Sequence, residues 1–148
     1  MPLSRRLLLV APLTLLVAGC VLPEDTVATP ASCPVIDTRD WVAFVNAMPG
    51  PDARPQLIVT GSADLPSAGY SAELRPGPTD RSARPVQIVE LVATPPRGPA
   101  ATVVTTVDLR LEMPAIASAP GAEAAYSGVR VACAGSELAF IAPVETAW

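Results

Sequence analysis

Three cysteines are the side chains of this sequence with the widest choice of chemistry: Cys20, Cys33 and Cys133. A thiolate can attack a carbonyl group or bind a metal ion, and a thiol can accept a lipid or pair as a disulfide. The 148-residue chain contains no histidine and no lysine. Histidine-based catalytic triads, lysine nucleophiles and histidine-containing zinc sites are therefore excluded.

Carboxylates are the remaining side chains that could catalyse a reaction. Asp37 and Asp40 are close in sequence, and Glu24 and Asp25 are adjacent; two acids can together hydrolyse a glycoside. Such residues more often flank strands or cap turns, so a carboxylate-based hydrolase is the least favoured interpretation. Calcium at Asp37, Asp40 or Asp52 is a further alternative, although no loop matches an EF-hand. We expect no catalytic residues, no cofactor and no bound metal, and thus no enzyme.

The first 20 residues carry an export pattern. Two arginines precede an apolar run over residues 7–17, which is too short to span a bilayer. The run leads into Leu16-Val17-Ala18-Gly19-Cys20, which resembles the lipobox of bacterial lipoproteins. The resemblance implies a signal peptide over residues 1–19 and lipidation of Cys20. Two or three acyl chains, such as palmitate, would then hold the protein on a lipid bilayer through Cys20.

The position after Cys20 bears on which membrane would hold the protein. The residue at this position is Val21. An aspartate there commonly retains lipoproteins in the inner membrane. We therefore expect a cell-envelope location, anchored in the outer membrane and facing the periplasm. If Cys20 carries lipid, Cys33 and Cys133 remain as an even pair in an oxidising compartment, which predicts a disulfide.

Charge limits the class of partner. Eight arginines and 14 acidic residues follow Gly19, giving the mature chain a net charge of −6. Binding to nucleic acid needs clustered positive charge, so no nucleic-acid partner is expected.

Hydrophobic patterning predicts an all-β fold. Residues 20–32 have no periodicity and indicate a flexible tether after the lipidated cysteine, which leaves residues 33–148 as the folded domain. Within this domain, residues 102–113 alternate in polarity, and Asp108, Arg110 and Glu112 are expected on the solvent-exposed face of a strand. Shorter β-type runs, most of them separated by proline or glycine, are found at residues 56–61, 70–75, 86–93, 129–133 and 138–140. This spacing predicts an immunoglobulin-like sandwich of about seven strands with one disulfide, a small β-barrel being the alternative.

Two shorter segments bear on this topology. Residues 40–48 fit both a helix and a strand, and the sheet context favours a strand. Residues 134–137 are typical of a hairpin loop. A further pattern runs from Ala43 to Gly50 (Ala-Phe-Val-Asn-Ala-Met-Pro-Gly) and continues in residues 57–61, 65–66 and 69–70. It resembles uncharacterised bacterial proteins with an A-W/F-V-N-x-M-P-G motif, a resemblance that implies no activity.

Three features are candidates for surface roles. Glu90 interrupts an apolar run, and we expect it to protect an edge strand in preference to occupying a pocket. Trp148 is expected to pack against the sheet, with an exposed aromatic anchor as the alternative. The possible interaction loop, for which a rigid connector is the plainer interpretation, consists of Met48, Pro49, Gly50 and Pro51.

These features together favour a membrane-anchored envelope lipoprotein of non-enzymatic type. Such a binding or structural module would act through an edge strand or loop, with an envelope protein as its possible partner. A small-ligand carrier or inhibitor in the periplasm is the alternative, and it would require a cavity of ligand size.

Overall fold

The computed structural model describes residues 32–51, 53–116 and 118–148. The expected signal peptide, Cys20 as the expected lipidation site, and all but the last residue of the expected tether lie outside these residues. Glu24, Asp25 and Asp52 lie outside them as well. The described part of the chain contains no helix long and apolar enough to cross a membrane.

Eight strands make up the described fold, which confirms the all-β prediction. Most of the described prolines lie between the strands, because proline cannot donate to a sheet hydrogen bond. The strands are β1 (Asp37–Asn46), β2 (Gln56–Leu65), β3 (Ser71–Thr79), β4 (Val86–Thr94), β5 (Thr105–Pro114), β6 (Gly128–Cys133), β7 (Ser136–Ile141) and β8 (Glu145–Ala147).

The strands form two four-stranded sheets with the orders β5-β2-β1-β8 and β3-β4-β6-β7. This confirms the sandwich and not the barrel, with eight strands where about seven were expected. Two pairs, β1 with β8 and β4 with β6, are parallel. The sheets of an immunoglobulin domain are antiparallel, so the connections differ from that fold in detail.

The core lies between the sheets and is built from alternate residues of the strands. In β2 and β4 the inward side chains are almost fully buried, as a strand with one packed face requires. The largest fully buried apolar side chains are Val45, Leu57, Val59, Leu65, Val89, Val129, Val131 and Val144.

One polar residue, Gln87, is buried in this core with 1% of its surface exposed. Its amide nitrogen donates to the carbonyl oxygens of Gly77 (2.9 Å) and Ile88 (2.7 Å). Its amide oxygen accepts a 2.6 Å hydrogen bond from the Thr79 hydroxyl. These bonds fall where the register between β3 and β4 shifts. Gln87 therefore satisfies backbone groups that the irregular end of β3 leaves without ladder partners.

The ambiguous segment, residues 40–48, is a strand over most of its length, as the sheet context predicted. A β-bulge lies between Arg39 and Val42, where Asp40 adopts a φ of 58°. The bulge places the Trp41 ring directly on Gly61 of β2, so close that a Cβ atom at Gly61 would overlap the ring. The Trp41 indole nitrogen is buried and has no hydrogen-bond partner among the described residues.

The alternating run predicted at residues 102–113 is β5, which starts three residues later and ends at Pro114. Asp108, Arg110 and Glu112 are exposed, as expected. The predicted hairpin between β6 and β7 is also present, but its loop is shorter than residues 134–137. Ala134 and Gly135 alone form the turn, with φ values of 49° and 82°, which suit a tight two-residue hairpin.

The disulfide between Cys33 and Cys133 is confirmed, with 5.5 Å between the two Cα atoms. Cys33 precedes β1 in the first sheet, and Cys133 ends β6 in the second. The bond therefore joins the two sheets covalently and closes a segment of 100 residues.

The strand directions define two ends of the sandwich. The proximal end holds residues 32–36, 66–70, 95–104 and 134–135, together with the disulfide. The distal end holds residues 47–55, 80–85 and 115–127, so far as these are described, and Trp148. A ten-residue strand rises about 3.3 Å per residue, so the two ends lie roughly 30 Å apart.

Candidate interaction surface

The exposed large apolar side chains are concentrated at the two ends of the sandwich. Each of them keeps between 49% and 61% of its surface accessible. Val42 and Phe140 lie instead on the outer faces of the two sheets. The proximal apolar rim consists of Ile36, Val103 and Val104, and the distal apolar group consists of Met48, Ile116 and Trp148.

At the distal end, the short strand β8 lies at the edge of the first sheet. Among the described strands it pairs with β1 alone. The Ala147 carbonyl accepts a 2.8 Å hydrogen bond from Ala47 N, so the polar backbone groups of Ala147 face β1. Neighbouring residues of a strand direct these groups to opposite sides. The N–H and C=O of Thr146 therefore point away from β1, towards the open edge.

A groove of about 340 Å³ lies beside β8, with Glu145, Thr146 and Trp148 in its lining. Small side chains of the segment before β6 line one side, and β8 with the Trp148 ring lines the other. The Thr146 and Ser118 hydroxyls approach to 3.3 Å within it. The groove is lined by Ser118, Ala119, Gly121, Ala122, Ala124, Glu145, Thr146 and Trp148.

The segment that forms the far side of the groove is fixed at several points. Tyr126 is buried, and its hydroxyl accepts a 3.1 Å hydrogen bond from Ile116 N. Arg84 donates from Nε to the Ala124 carbonyl at 3.2 Å and lies 3.6 Å from the Glu123 carboxylate. A lone tyrosine and an arginine have no characteristic spacing, so the sequence does not indicate the role of these residues.

The possible interaction loop lies at the same end. Met48, Pro49, Gly50 and Pro51 are all exposed, and they follow β1, the neighbour of β8. Met48 N donates to the Asn46 side chain at 3.1 Å, which fixes the direction in which the loop leaves the strand. Trp148 is half exposed and lines the groove, so it does not pack fully against the sheet as expected.

The edge-strand interpretation of Glu90 is wrong. β4, which carries it, lies between β3 and β6, and Glu90 is exposed on the outer face of this internal strand. It lines two surface cavities of about 300 and 250 Å³. Beside the larger cavity, Arg130 Nε lies 2.7 Å from the Glu137 carboxylate. Neighbour order within a sheet cannot be obtained from a single strand's pattern, which is why this position was misassigned.

The acidic residues of β1 are exposed on the strand. The Oδ1 atom of Asp37 accepts a 2.8 Å hydrogen bond from Thr38 N, and Asp40 forms the bulge. In the part of the chain that the structure describes, no three acidic or cysteine side chains come together as metal ligands.

A compact ion-pair network lies beside these residues. The guanidinium of Arg39 donates to Asp64 at 2.6 Å and to the Thr106 hydroxyl at 3.0 Å. The Thr106 hydroxyl donates in turn to Asp64 at 2.6 Å. The hydrogen bond from Arg39, followed by that from Thr106, holds the pKa of Asp64 below its ordinary value of 3.8.

Replacing Asp64 with asparagine is expected to lower stability at neutral pH and to make little difference in strong acid. The folded pKa of Asp64 is depressed, so its contribution is complete above about pH 4 and is lost as pH falls through the lower folded pKa. Urea unfolding midpoints of wild type and Asp64→Asn between pH 7 and 2 measure this. The difference between the unfolding midpoints of the two proteins should become smaller below pH 3.8. A difference that stays constant from pH 7 to pH 2 would contradict this prediction.

No protein-family model, curated protein or solved structure matches this chain.

Proposed function

We propose that this chain is a lipid-anchored, non-enzymatic module of the cell envelope that binds an extended segment of a partner protein. The binding site is the groove beside β8, at the distal end. The outer edge of β8, beside a groove of about 340 Å³, is the observation that carries the proposal. An extended segment can add to such an edge through main-chain hydrogen bonds, while the groove selects its side chains.

The chemistry of the groove narrows the class of partner. The N–H and C=O of Thr146 are the groups that would pair with the incoming backbone. Trp148 offers an aromatic surface, and the alanines opposite leave room for apolar side chains. Glu145 adds a carboxylate, which favours a basic residue in the bound segment. The expected partner is thus an envelope protein with an exposed, extended, apolar and basic segment.

The lipidation of Cys20 supplies the membrane part of the proposal. With this anchor the protein is placed on the outer membrane, facing the periplasm, and the disulfide between Cys33 and Cys133 suits an oxidising compartment. Cys20→Ser is expected to abolish acylation and release the protein from the membrane fraction. Mass spectrometry of the wild-type peptide that contains Cys20 measures the acyl groups, and a peptide without acyl mass would contradict the anchor.

The groove is tested by Thr146→Pro. Proline removes the Thr146 N–H but leaves the hydrogen bond between β1 and Ala147 in place, so the fold is expected to survive. We expect the yield of partner co-purified from detergent-solubilised envelope to fall at least about tenfold, the effect of losing roughly 1.4 kcal/mol of binding.

Thr146→Val is the matched control for this substitution, because it changes the side chain and keeps the backbone donor. Its yield of partner should stay close to that of wild type. Equal yields from Thr146→Pro and wild type, or no stoichiometric partner with intact lipidated protein, would overturn the groove as the binding site.

A further inference from the structure

The proximal apolar rim, Ile36, Val103 and Val104, lies beside the point where the described chain begins. Ile36 is three residues after Cys33, and its N–H donates to the Asp64 carbonyl at the end of β2 (2.9 Å). Val103 and Val104 lead into β5, the other neighbour of β2. Adjacent strands are about 4.8 Å apart, so the two parts of the rim lie roughly 10 Å from each other.

We propose that the proximal apolar rim contacts the lipid surface and orients the domain with its distal groove away from the membrane. This inference rests on the proposed lipid anchor at Cys20. All three side chains are more than half exposed, at 56%, 58% and 57% for Ile36, Val103 and Val104. Aliphatic side chains that remain accessible beside a membrane attachment point are suited to the boundary between headgroups and acyl chains.

The place where the chain enters the sandwich, together with the short length that precedes it, supports lipid as the occupant. Residues 21–32 separate Cys20 from Cys33, and even fully extended they reach about 45 Å at most. The rim is therefore kept near the bilayer at a high effective concentration, so a contact too weak to bind a free domain is sufficient. The distal apolar group lies roughly 30 Å farther from Cys33 along the strands.

Charge near the rim indicates which part of the lipid it contacts. Asp37 and Asp40 are exposed beside it, and Arg97 is exposed in the loop that leads to β5. Arg39 is paired with Asp64. The two exposed carboxylates outnumber Arg97, and acidic groups are repelled by anionic headgroups, so attraction to such headgroups does not explain this contact. The contact is apolar, and we expect it on zwitterionic lipid and with little dependence on salt.

The test uses the lipidated full chain in phosphatidylcholine vesicles whose acyl chains carry bromine, which quenches nearby tryptophan. Val104→Trp places a probe in the rim, and Val42→Trp places a matched probe on the outer face of the first sheet, where Val42 is 52% exposed. The signal of Trp41 and Trp148, measured in wild type, is subtracted. We expect at least twofold quenching of the probe at position 104 and none at position 42, unchanged by added salt.

The outcomes separate the two proposals. Mass spectrometry of the Cys20 peptide measures acylation, and flotation of the protein with the vesicles measures membrane attachment. Both measurements test the anchor and not the rim contact. An anchored protein in which the two probes are quenched equally, or in which neither is quenched, overturns the rim contact and leaves the anchor standing. A chain without acyl mass overturns the anchor and the rim contact together.

Discussion

Replacing both Cys33 and Cys133 with alanine is expected to lower the free energy of unfolding by about 3–5 kcal/mol. The bond closes a segment of 100 residues, and a cross-link of that length removes much of the conformational entropy of the unfolded chain. It also holds the start of β1 against the end of β6, where Cys133 is buried with 3% of its surface exposed. A small domain has a total stability of about 5–15 kcal/mol, so the disulfide accounts for a large fraction of it.

Urea unfolding followed by circular dichroism measures this loss. The double variant is used because a single substitution leaves a free thiol that can form intermolecular disulfides. Wild type under strong reductant is the control, since it lacks the bond but keeps both sulfur atoms. A loss below about 1 kcal/mol, or a reduced wild type as stable as the oxidised protein, would show that the bond does not stabilise the native state.

Gly61→Ala is expected to cost about 1–3 kcal/mol, because the added methyl group would overlap the Trp41 ring. The Cζ3 atom of that ring would lie 2.6 Å from the new carbon. Trp41 cannot move aside easily, since the bulge at Asp40 fixes its backbone and the core packs against its ring. Thermal and urea unfolding of wild type and Gly61→Ala measure this loss in the free energy of unfolding.

A double-mutant cycle with Trp41→Leu assigns that loss to the contact. If the overlap is its cause, the two changes together should cost at least about 1 kcal/mol less than the sum of the single changes. Gly128→Ala is the control, because the new carbon there would also overlap a ring, that of Phe140, and would lie 3.1 Å from the Ile141 carbonyl oxygen. Phe140 is half exposed and can swing outwards, so a smaller loss is expected. Additive effects at Gly61 and Trp41 would contradict the steric explanation.

The sequence predicted those parts of the fold that depend on one strand at a time. The alternation in β5 correctly predicted that Asp108, Arg110 and Glu112 lie on the solvent-exposed face, because a strand with one packed face has a side-chain period of two. The pairing of Cys33 with Cys133 was also correct, although it relied on assigning Cys20 to lipid.

Features that depend on which strands are neighbours were beyond the sequence. The position of Glu90 on an internal strand follows from the parallel pairing of β4 with β6, which neither strand's own pattern encodes. The bulge at Asp40 inserts a residue without a periodicity signal. The strand β8 is three residues long and has no apolar alternation, so the groove beside it was not foreseen. Trp148 and the loop from Met48 were recognised as candidates, but not their common location at the distal end.

The parallel pairing of β1 with β8 has a mechanical consequence. A partner holding β8 at its distal end and an anchor holding the chain before Cys33 would pull these two strands in opposite directions along their common axis. Their hydrogen bonds would then bear the load together in shear and would not open one at a time as in a zipper. The covalent bond to Cys133 would divert part of the force into β6. If the proposed anchor and partner are both present, the domain would resist tension between the membrane and the bound segment.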